Sequence, residues 1–424
     1  MVFTRFLAAA LVLAATGANA FKTMPVESFE FDTLQQQHGE LLSALQATGI
    51  VSIKNIPSYA ASRKDFLQAA TECVNSPGAI ESEGLVYRTL DDGTQRTTIS
   101  TKSQVGNPDV SVPRVDCPEY TAKLREFSAV VDTAAVALAQ ALDASVGSGK
   151  ESLTDIVQQA EHLDHFHQYV SPEVLPTDSN DEISLSMHTD SGLAILMTVP
   201  QFHRIDDGEK IVGMDDIVDG PAASAGLVIQ LPGSDDKVQS LLHEEELIVM
   251  IGEGLQAWTS TGLDISPVLH GMQMPKFDEK HGQVGRSWFG KMLLMPKDRV
   301  MKNTGMTYET YANATTEYVA QQRRLIESDF SSVACPPHTR LLASDKTCTL
   351  KKCKPKRGSG VSKSECMKWC NVIHDADQCA ASCTCSGSSN DQGLSCWMLC
   401  VPAKCPQGKQ AVCDPNGAQA IVCQ

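Results

Sequence analysis

After its first twenty residues, the chain lacks any uninterrupted apolar run near the ~20 residues that a membrane-spanning helix needs. It also lacks complete phosphate-binding and nucleophile motifs. The segment Gly147–Lys150 has no upstream glycine and no serine or threonine after the lysine, and no Gly-x-Ser-x-Gly sequence occurs. These absences predict no membrane span and argue against a nucleotide-binding enzyme or a serine hydrolase.

Positive charge is scarce in most of the chain. The formal net charge is −16, and residues 21–334 hold 23 basic against 45 acidic residues. From Cys335 onward the balance reverses, with 11 basic and 6 acidic residues. An acidic body repels the phosphate backbone, so a nucleic-acid partner is not expected for it.

Cysteine is nearly absent before residue 335. Only Cys73 and Cys117 precede it, whereas 13 of the 15 cysteines follow. This density predicts a small disulfide-stapled module over 335–424, because an exported chain meets an oxidising compartment. A metal cluster is the less favoured alternative. Since 13 and 15 are both odd, at least one thiol is free or pairs with another chain.

The first twenty residues have the order of a cleavable secretory signal. Arg5 is followed by an apolar run from Phe6 to Ala15, and Ala18-Asn19-Ala20 supplies small residues for cleavage. We therefore expect a mature chain that begins near Phe21 and is secreted and soluble.

The apolar pattern of the body predicts helices first and strands later. Spacings of three and four residues indicate a helix from Thr33 to Ala47 that stops at Gly49, with a strand over 50–53. A long helix should run from about Pro118 to Gly147. Short Leu, Ile and Val runs over 163–300, divided by Gly, Pro and Asp, are typical of a β-barrel or sandwich. The expected domain covers 21–330, with a helical part at 21–150 and a β core at 160–300.

Candidate chemistry is concentrated in that β core. His188 and Asp190 are two apart in the strand-like run SLSMHTDSGLAILMTVP, so both side chains face the same way. His270 follows another apolar run and completes a set of two histidines and one carboxylate, which suits iron(II) oxygen chemistry. Arg286, in a further strand-like run, can hold a carboxylate bidentately. Taken singly, His270 is more typical of a buried core histidine and Arg286 of a surface ion pair.

At these residues the chain resembles the isopenicillin N synthase-like group of iron(II)- and 2-oxoglutarate-dependent oxygenases. The resemblance covers roughly residues 24–300 and includes ELLSALQATGIVSIKNIP, IGEGLQAWTS and SPVLHGM. It implies a double-stranded β-helix, or jelly-roll, with flanking helices. It further implies that His188, Asp190 and His270 bind iron(II), and that Arg286 binds the distal carboxylate of 2-oxoglutarate.

The chain departs from this family pattern at two places. The serine expected two residues after Arg286 is Trp288, and Ser287 is adjacent instead, where a strand turns it to the other face. In LDHFHQYVSP, His167 and Tyr169 take the positions that face the cosubstrate. His165 and His167 are alternatively a separate metal patch, or, as we expect more readily, exposed surface histidines. A polar insertion near 202–225 is expected to cover the mouth of the site.

The resemblance implies a 2-oxoglutarate- and iron(II)-dependent dioxygenase that hydroxylates or desaturates a small-molecule or peptide substrate. One alternative belongs to another class. In it, the body is a catalytically degenerate carrier, and the cysteine-rich tail, with its basic stretch KKCKPKRG, binds an extracellular ligand.

Overall fold

The computed structural model describes residues 21–76, 84–90, 92–107, 117–147, 150–171, 183–205, 226–274, 283–303 and 305–313, together with short strands at 211–212, 354–355, 411–413 and 420–423. The predicted signal and nearly all of the predicted cysteine-rich module lie outside these residues. The helices are α1 His38–Thr48, α2 Tyr59–Asn75, α3 Pro118–Val146, α4 Leu153–Gln159 and α5 Gly254–Trp258. The strands of the body are β1 Lys22–Pro25, β2 Ser28–Glu30, β3 Ile50–Lys54, β4 Leu85–Thr89, β5 Gln95–Gln104, β6 Glu161–Val170, β7 Leu185–His188, β8 Ala194–Thr198, β9 Gln201–Arg204, β10 Ile211–Val212, β11 Leu227–Gln230, β12 Lys237–Leu241, β13 Leu247–Ile251, β14 Leu269–Met272 and β15 Val284–Leu293.

Eight strands form two antiparallel sheets that enclose one cavity. The main sheet contains the order β13-β8-β15-β6, and the smaller sheet the order β12-β11-β14-β7. Apart from β11 and β12, which pair as a hairpin in the smaller sheet, successive strands of the eight alternate between the two sheets. This is the arrangement of a double-stranded β-helix, or jelly-roll. The predicted fold class, mainly β with flanking helices around a jelly-roll core, is confirmed.

Further strands extend both sheets beyond the eight. The β4–β5 hairpin pairs with β6, β2 and β3 continue the main sheet beyond β13, and β1 pairs with β12. These strands cover backbone edges of the jelly-roll that would otherwise stay unpaired. The region 21–150, which the sequence pattern predicts as helical, therefore also supplies five strands.

The first helix is shorter than predicted. Residues Phe31–Thr33 form a 3₁₀ turn and α1 begins only at His38, so Leu34 is buried by the turn rather than by the helix. Gly49 ends α1, as expected, with φ +73°. A Cβ there would lie 2.6 Å from Val268 Cγ2, so both the backbone conformation and the packing require glycine.

The long helix α3 confirms the predicted helix and covers the outer face of the main sheet. Phe127 on α3 stacks on Phe66 of α2, with ring centroids 5.5 Å apart. Phe127 also packs edge to face with Phe289 of β15, with ring centroids 5.0 Å apart. By length and composition alone, α3 is apolar enough to cross a membrane, and it is the one such helix in the described part of the chain. Its apolar face is buried within the fold.

A polar cluster is buried beneath α3 as well. Lys291 of β15, which has no exposed surface, lies 2.8 Å from Asp164 of β6 and 2.9 Å from Asp132 of α3. Lys291 also donates to Ser103 and Ser128. A single cation is therefore shared by two carboxylates on the helix-covered side of the sheet.

The described residues also include a disulfide bond and a small sheet in the tail. Cys73 near the end of α2 is bonded to Cys117 at the start of α3. In the tail, β16 Lys354–Pro355, β17 Ala411–Cys413 and β18 Ala420–Cys423 form a three-stranded sheet, which the sequence pattern did not predict.

Candidate metal centre

Two of the three predicted ligands are cross-strand neighbours in the smaller sheet. His188 ends β7 and lies opposite His270 of β14, with the two ring centroids 4.4 Å apart. Asp190 follows two residues after β7. One donor atom from each of these three residues lies within 4.8 Å of the others, and no other such group was found in the described part of the chain. The structure thus brings together the three residues that the sequence selected.

Both imidazoles direct the same nitrogen toward the centre. His188 Nδ1 lies 3.0 Å from the carbonyl oxygen of Ser186, and His270 Nδ1 lies 3.0 Å from that of Val268. A carbonyl oxygen only accepts, so each Nδ1 carries the proton and each Nε2 keeps a free lone pair. These Nε2 atoms lie 3.8 and 3.9 Å from the carboxylate oxygens of Asp190.

His188 is held in the neutral form that metal binding requires. Burial lowers its pKa to about 3, with a further contribution from the neighbouring His270. Two imidazoles and one carboxylate leave several coordination positions open on a single metal ion, which is the donor set of non-haem iron(II) sites. The residues present therefore fit a ferrous ion.

The loop that carries Asp190 is fixed by a second loop. The Glu253 amide donates to the Asp190 carbonyl oxygen at 2.8 Å, and the Gly252 and Gly254 amides donate to Leu193 and Gly192. The Thr189 hydroxyl donates to the Glu253 carboxylate. A Cβ on Gly252 would lie 2.3 Å from the Gly192 oxygen, so the close approach of the two loops requires glycine.

The three ligands open into a cavity lined by both sheets. Arg286 of β15 and Tyr169 of β6 lie opposite each other and both line it, as does His167. Arg286 is 2% exposed, and its guanidinium carbon lies 5.7 Å from the centre of the Tyr169 ring. Burial lowers the pKa of Arg286 to about 10, so it remains a cation at neutral pH. The three residues predicted to bind the cosubstrate thus share one cavity with the candidate ligands.

Ser287 and Trp288 face opposite sides of the main sheet. Ser287 points toward the helices, where its hydroxyl lies 3.3 Å from that of Thr71. Trp288 lines the cavity, and its ring centroid lies 4.7 Å from that of His167. Its buried Nε1 has no hydrogen-bond partner among the described residues. Ser287 therefore cannot replace the serine of the family pattern, and the free donor at that place is an indole N–H.

The expectation of exposed surface histidines on β6 is wrong. His165 is 1% and His167 3% exposed, because both point into the barrel from a strand that is covered on its other face by helices. His167 Nδ1 lies 2.8 Å from the Thr98 hydroxyl, whereas His165 Nδ1 has no partner in the part of the chain that the structure describes. Burial lowers the pKa of both rings, to about 3 for His165.

The sequence pattern did not identify two arginines that line the cavity. Arg88 and Arg96 lie opposite each other on the β4–β5 hairpin and both line the cavity. The signal was present, since Asp92-Gly93 is a typical hairpin turn and Gly93 has φ +84°. The insertion expected near 202–225 lies mostly outside the described residues, except for β9 and β10, which pair with each other.

No protein-family model matches the chain. No curated protein matches it either.

Several solved structures resemble this one. A full-length Neurospora crassa protein in complex with alpha-KG has 13% identity and a TM-score of 0.49, covering 67% of this chain and 88% of that one. AtDAO1, a dioxygenase for auxin oxidation from Arabidopsis thaliana, has 14% identity and a TM-score of 0.44, covering 64% and 94%. JOX2 in complex with 2OG, Fe and JA has 13% identity and a TM-score of 0.48, covering 70% and 86%. At this level of identity the similarity concerns the fold alone.

Proposed function

We propose that the chain is a secreted non-haem iron(II)- and 2-oxoglutarate-dependent oxygenase that hydroxylates or desaturates its substrate. One observation carries the proposal: His188, Asp190 and His270 converge within 4.8 Å at a jelly-roll cavity. Both Nε2 atoms are free, because backbone carbonyls accept from both Nδ1 atoms. This arrangement is more specific than the sequence motif, since it fixes tautomer and direction as well as residue type.

His188, Asp190 and His270 would hold the iron, which with dioxygen and 2-oxoglutarate supplies an oxidant for unreactive C–H bonds. The protein's own contribution is to fix these ligands and to exclude water. Asp190 and His270 are 4% and 8% exposed, and the cavity wall facing them includes Ile195, Met197 and Met250. Apolar walls of this kind keep bulk water away from the reacting atoms.

Arg286 is the residue that we assign to the distal carboxylate of 2-oxoglutarate. It is a buried cation on the inner face of β15 and reaches the same cavity as the ligands. A guanidinium matches a carboxylate through two parallel hydrogen bonds. Tyr169 and the free Trp288 Nε1–H are the neighbouring donors, so a neutral indole donor takes the place of the serine hydroxyl of the family pattern.

The proposal is tested by anaerobic iron(II) titration of the full-length protein, followed by addition of 2-oxoglutarate and air. We expect saturation at one iron per chain and formation of succinate. His188→Ala should abolish both. His243→Ala removes an exposed histidine from the β12–β13 connection and should leave both unchanged. Iron binding that is equal in wild type and His188→Ala would refute the proposed site.

Secretion and the cysteine-rich module remain part of the proposal and are tested separately. The first twenty residues support export, and the thirteen cysteines after residue 334 support a disulfide-stapled extracellular module. Expression in a secreting host should release a chain whose N-terminal sequence begins at Phe21. An intracellular product that retains Met1 would contradict this part of the proposal without affecting the oxygenase part.

A further inference from the structure

Three arginines and one tyrosine lie in a single row across the inner face of the main sheet. Arg88 is opposite Arg96, Arg96 is opposite Tyr169, and Tyr169 is opposite Arg286. Directly opposed residues on neighbouring strands share a face, and all four line the cavity. Because neighbouring strands are about 4.8 Å apart, the backbones of Arg96 and Arg286 are separated by roughly 10 Å. The row therefore offers two cationic positions, one on each side of Tyr169.

The charge of the cavity is unbalanced even with its cofactors in place. Its described lining contains three arginines and a single carboxylate, Asp190. The double charge of a ferrous ion and that of 2-oxoglutarate cancel, which leaves a net charge of +2. The body as a whole carries 45 acidic against 23 basic residues, so this cationic interior is a local departure from the acidic surroundings. A cleft of one charge sign concentrates ligands of the opposite sign.

Among the described residues, no carboxylate forms an ion pair with Arg96 or Arg88. Arg96 uses its Nε to donate to Thr98 Oγ1 at 3.2 Å. The two terminal nitrogens of its guanidinium therefore remain available to donate two hydrogen bonds to one ligand carboxylate. Arg96 is half-buried and lines the cavity together with His167 and His188.

The wall beside this cationic position is apolar. It consists of leucine and methionine side chains from both sheets and from the hairpin: Leu90, Leu185, Leu227, Met250 and Met272. A ligand that satisfies both features has one anionic group and an apolar body.

We propose that the substrate is an apolar carboxylic acid, and that Arg96, assisted by Arg88, binds its carboxylate and determines specificity. This inference rests on the proposed oxygenase function of the same site. It assigns the two cationic positions to different ligands: Arg286 binds the cosubstrate and Arg96 binds the substrate. The guanidinium fork of Arg96 fits a planar carboxylate bidentately, while the leucine and methionine wall takes the hydrocarbon part.

The test uses the full-length protein loaded anaerobically with iron(II) and 2-oxoglutarate, so that binding is measured without turnover. Calorimetric titration compares straight-chain and aryl-substituted carboxylic acids of about six to twelve carbons, which are ordinary sizes for small-molecule ligands, with their primary amides. We expect each acid that binds to have an affinity at least about 10-fold higher than that of its amide. Arg96→Ala should weaken acid binding by roughly 10- to 100-fold and leave amide binding unchanged, as loss of a charge-assisted hydrogen bond predicts. Arg96→Lys should recover part of the loss.

Two further variants separate charge from position. Arg88→Ala, on the outer strand of the hairpin, should weaken acid binding less than Arg96→Ala does. Arg125→Ala removes the same charge from the exposed face of α3, on the other side of the sheet, and should have no effect. Thermal unfolding of each variant verifies that it is folded.

Several results would overturn the inference. One is equal affinity for acids and amides, and another is the absence of acid binding at millimolar concentration. A third is an Arg96→Ala variant that loses affinity for 2-oxoglutarate but keeps its affinity for the acid. The proposed function fails differently, through loss of iron or 2-oxoglutarate binding in the wild type. The acid–amide comparison can then be repeated on the metal-free protein, because Arg96 belongs to a different sheet from the two histidines.

Discussion

His188 and His270 lie directly opposite each other on neighbouring antiparallel strands, with ring centroids 4.4 Å apart. Strand register alone therefore places the two imidazoles together, and a slip of one residue would turn one of them to the other face. The carboxylate comes from the short loop after β7, so its position depends on loop contacts rather than on register. The three ligands thus have different sensitivities to mutation.

The carboxylate of Asp190 should be essential for metal binding. Asp190→Asn preserves shape but removes the negative charge, and an amide oxygen is a weaker ligand for a divalent cation. Changes to residues that merely support a ligand cost 10- to 100-fold in metal affinity, so we expect a loss of at least about 100-fold in iron(II) affinity by anaerobic titration. Asp298→Asn, at an exposed position, should bind iron as the wild type does. An unchanged affinity in Asp190→Asn would exclude the carboxylate as a ligand.

The packing of the two loops should matter as much as the ligands themselves. A Cβ on Gly252 would lie 2.3 Å from the Gly192 oxygen and 2.9 Å from the Asp190 oxygen, and backbone atoms cannot move aside like a flexible side chain. We expect Gly252→Ala to reduce the free energy of unfolding by about 1–3 kcal/mol. Since the loop that carries Asp190 must shift, iron affinity should also fall by roughly 10-fold.

Gly39 provides the matched control for that substitution. It lies in the first turn of α1, and a Cβ there would meet nothing within 4 Å. Gly39→Ala should leave iron affinity unchanged and raise the free energy of unfolding by up to about 1 kcal/mol, because alanine favours the helix. If Gly252→Ala behaved like Gly39→Ala in both measurements, the contact between the two loops would not be what positions Asp190.

The metal ligands were predictable because their signals are local. The spacing of His188 and Asp190, the later His270 and the family resemblance of the surrounding segments were enough to select all three. Strand alternation did not apply to Asp190, which lies in the loop after β7. Arg88 and Arg96 were missed because their importance arises from the pairing of β5 with β6, two strands separated by the whole of α3 and α4. The sequence of the hairpin indicates its turn but not the cavity that it borders.

The burial of β6 also could not be predicted from its sequence pattern. In EHLDHFHQYV polar residues occupy both faces of the strand, a pattern that is typical of an exposed strand. The structure buries both faces, with His165 and His167 in the barrel and Asp164 beneath α3. Each face is satisfied by polar groups from distant segments, such as Lys291 for Asp164. No local pattern reveals such partners, and a mainly polar strand can therefore lie at the centre of a sheet.

The buried cluster at Lys291 should be a strong determinant of stability. Burial alone would lower the pKa of Lys291, but the Asp164 and Asp132 carboxylates raise it overall, so it is a buried cation paired with two acids. Lys291→Met leaves those carboxylates without a counter-charge. We expect a loss of about 3–5 kcal/mol in the free energy of unfolding, measured by urea denaturation.

A triple variant tests the cause of that loss. Lys291→Met combined with Asp132→Asn and Asp164→Asn removes the uncompensated charges while keeping similar volumes, and should recover most of the stability. If the triple variant were no more stable than Lys291→Met, lost packing rather than unpaired charge would explain the effect.

Acid should destabilise the fold through His162, which links α4 to the end of β15. Its Nε2 lies 2.8 Å from the Val157 oxygen, so this nitrogen carries the proton, and its Nδ1 accepts from the Leu294 amide at 3.1 Å. Burial, followed by the charge of Lys291, lowers the pKa of His162 to about 3. The unfolded chain, with a histidine pKa of about 6.5, binds the proton more readily. The stability that neutral His162 contributes is therefore complete above about pH 6.5 and decreases as the pH falls toward 3.

The variant His162→Gln, which cannot titrate, tests this pH dependence. As the pH falls from roughly 6 to 4, the difference in the free energy of unfolding between wild type and His162→Gln should shrink by up to about 1.4 kcal/mol per pH unit. A difference that stays constant over this range, measured by urea denaturation, would show that His162 is not neutral in the folded protein.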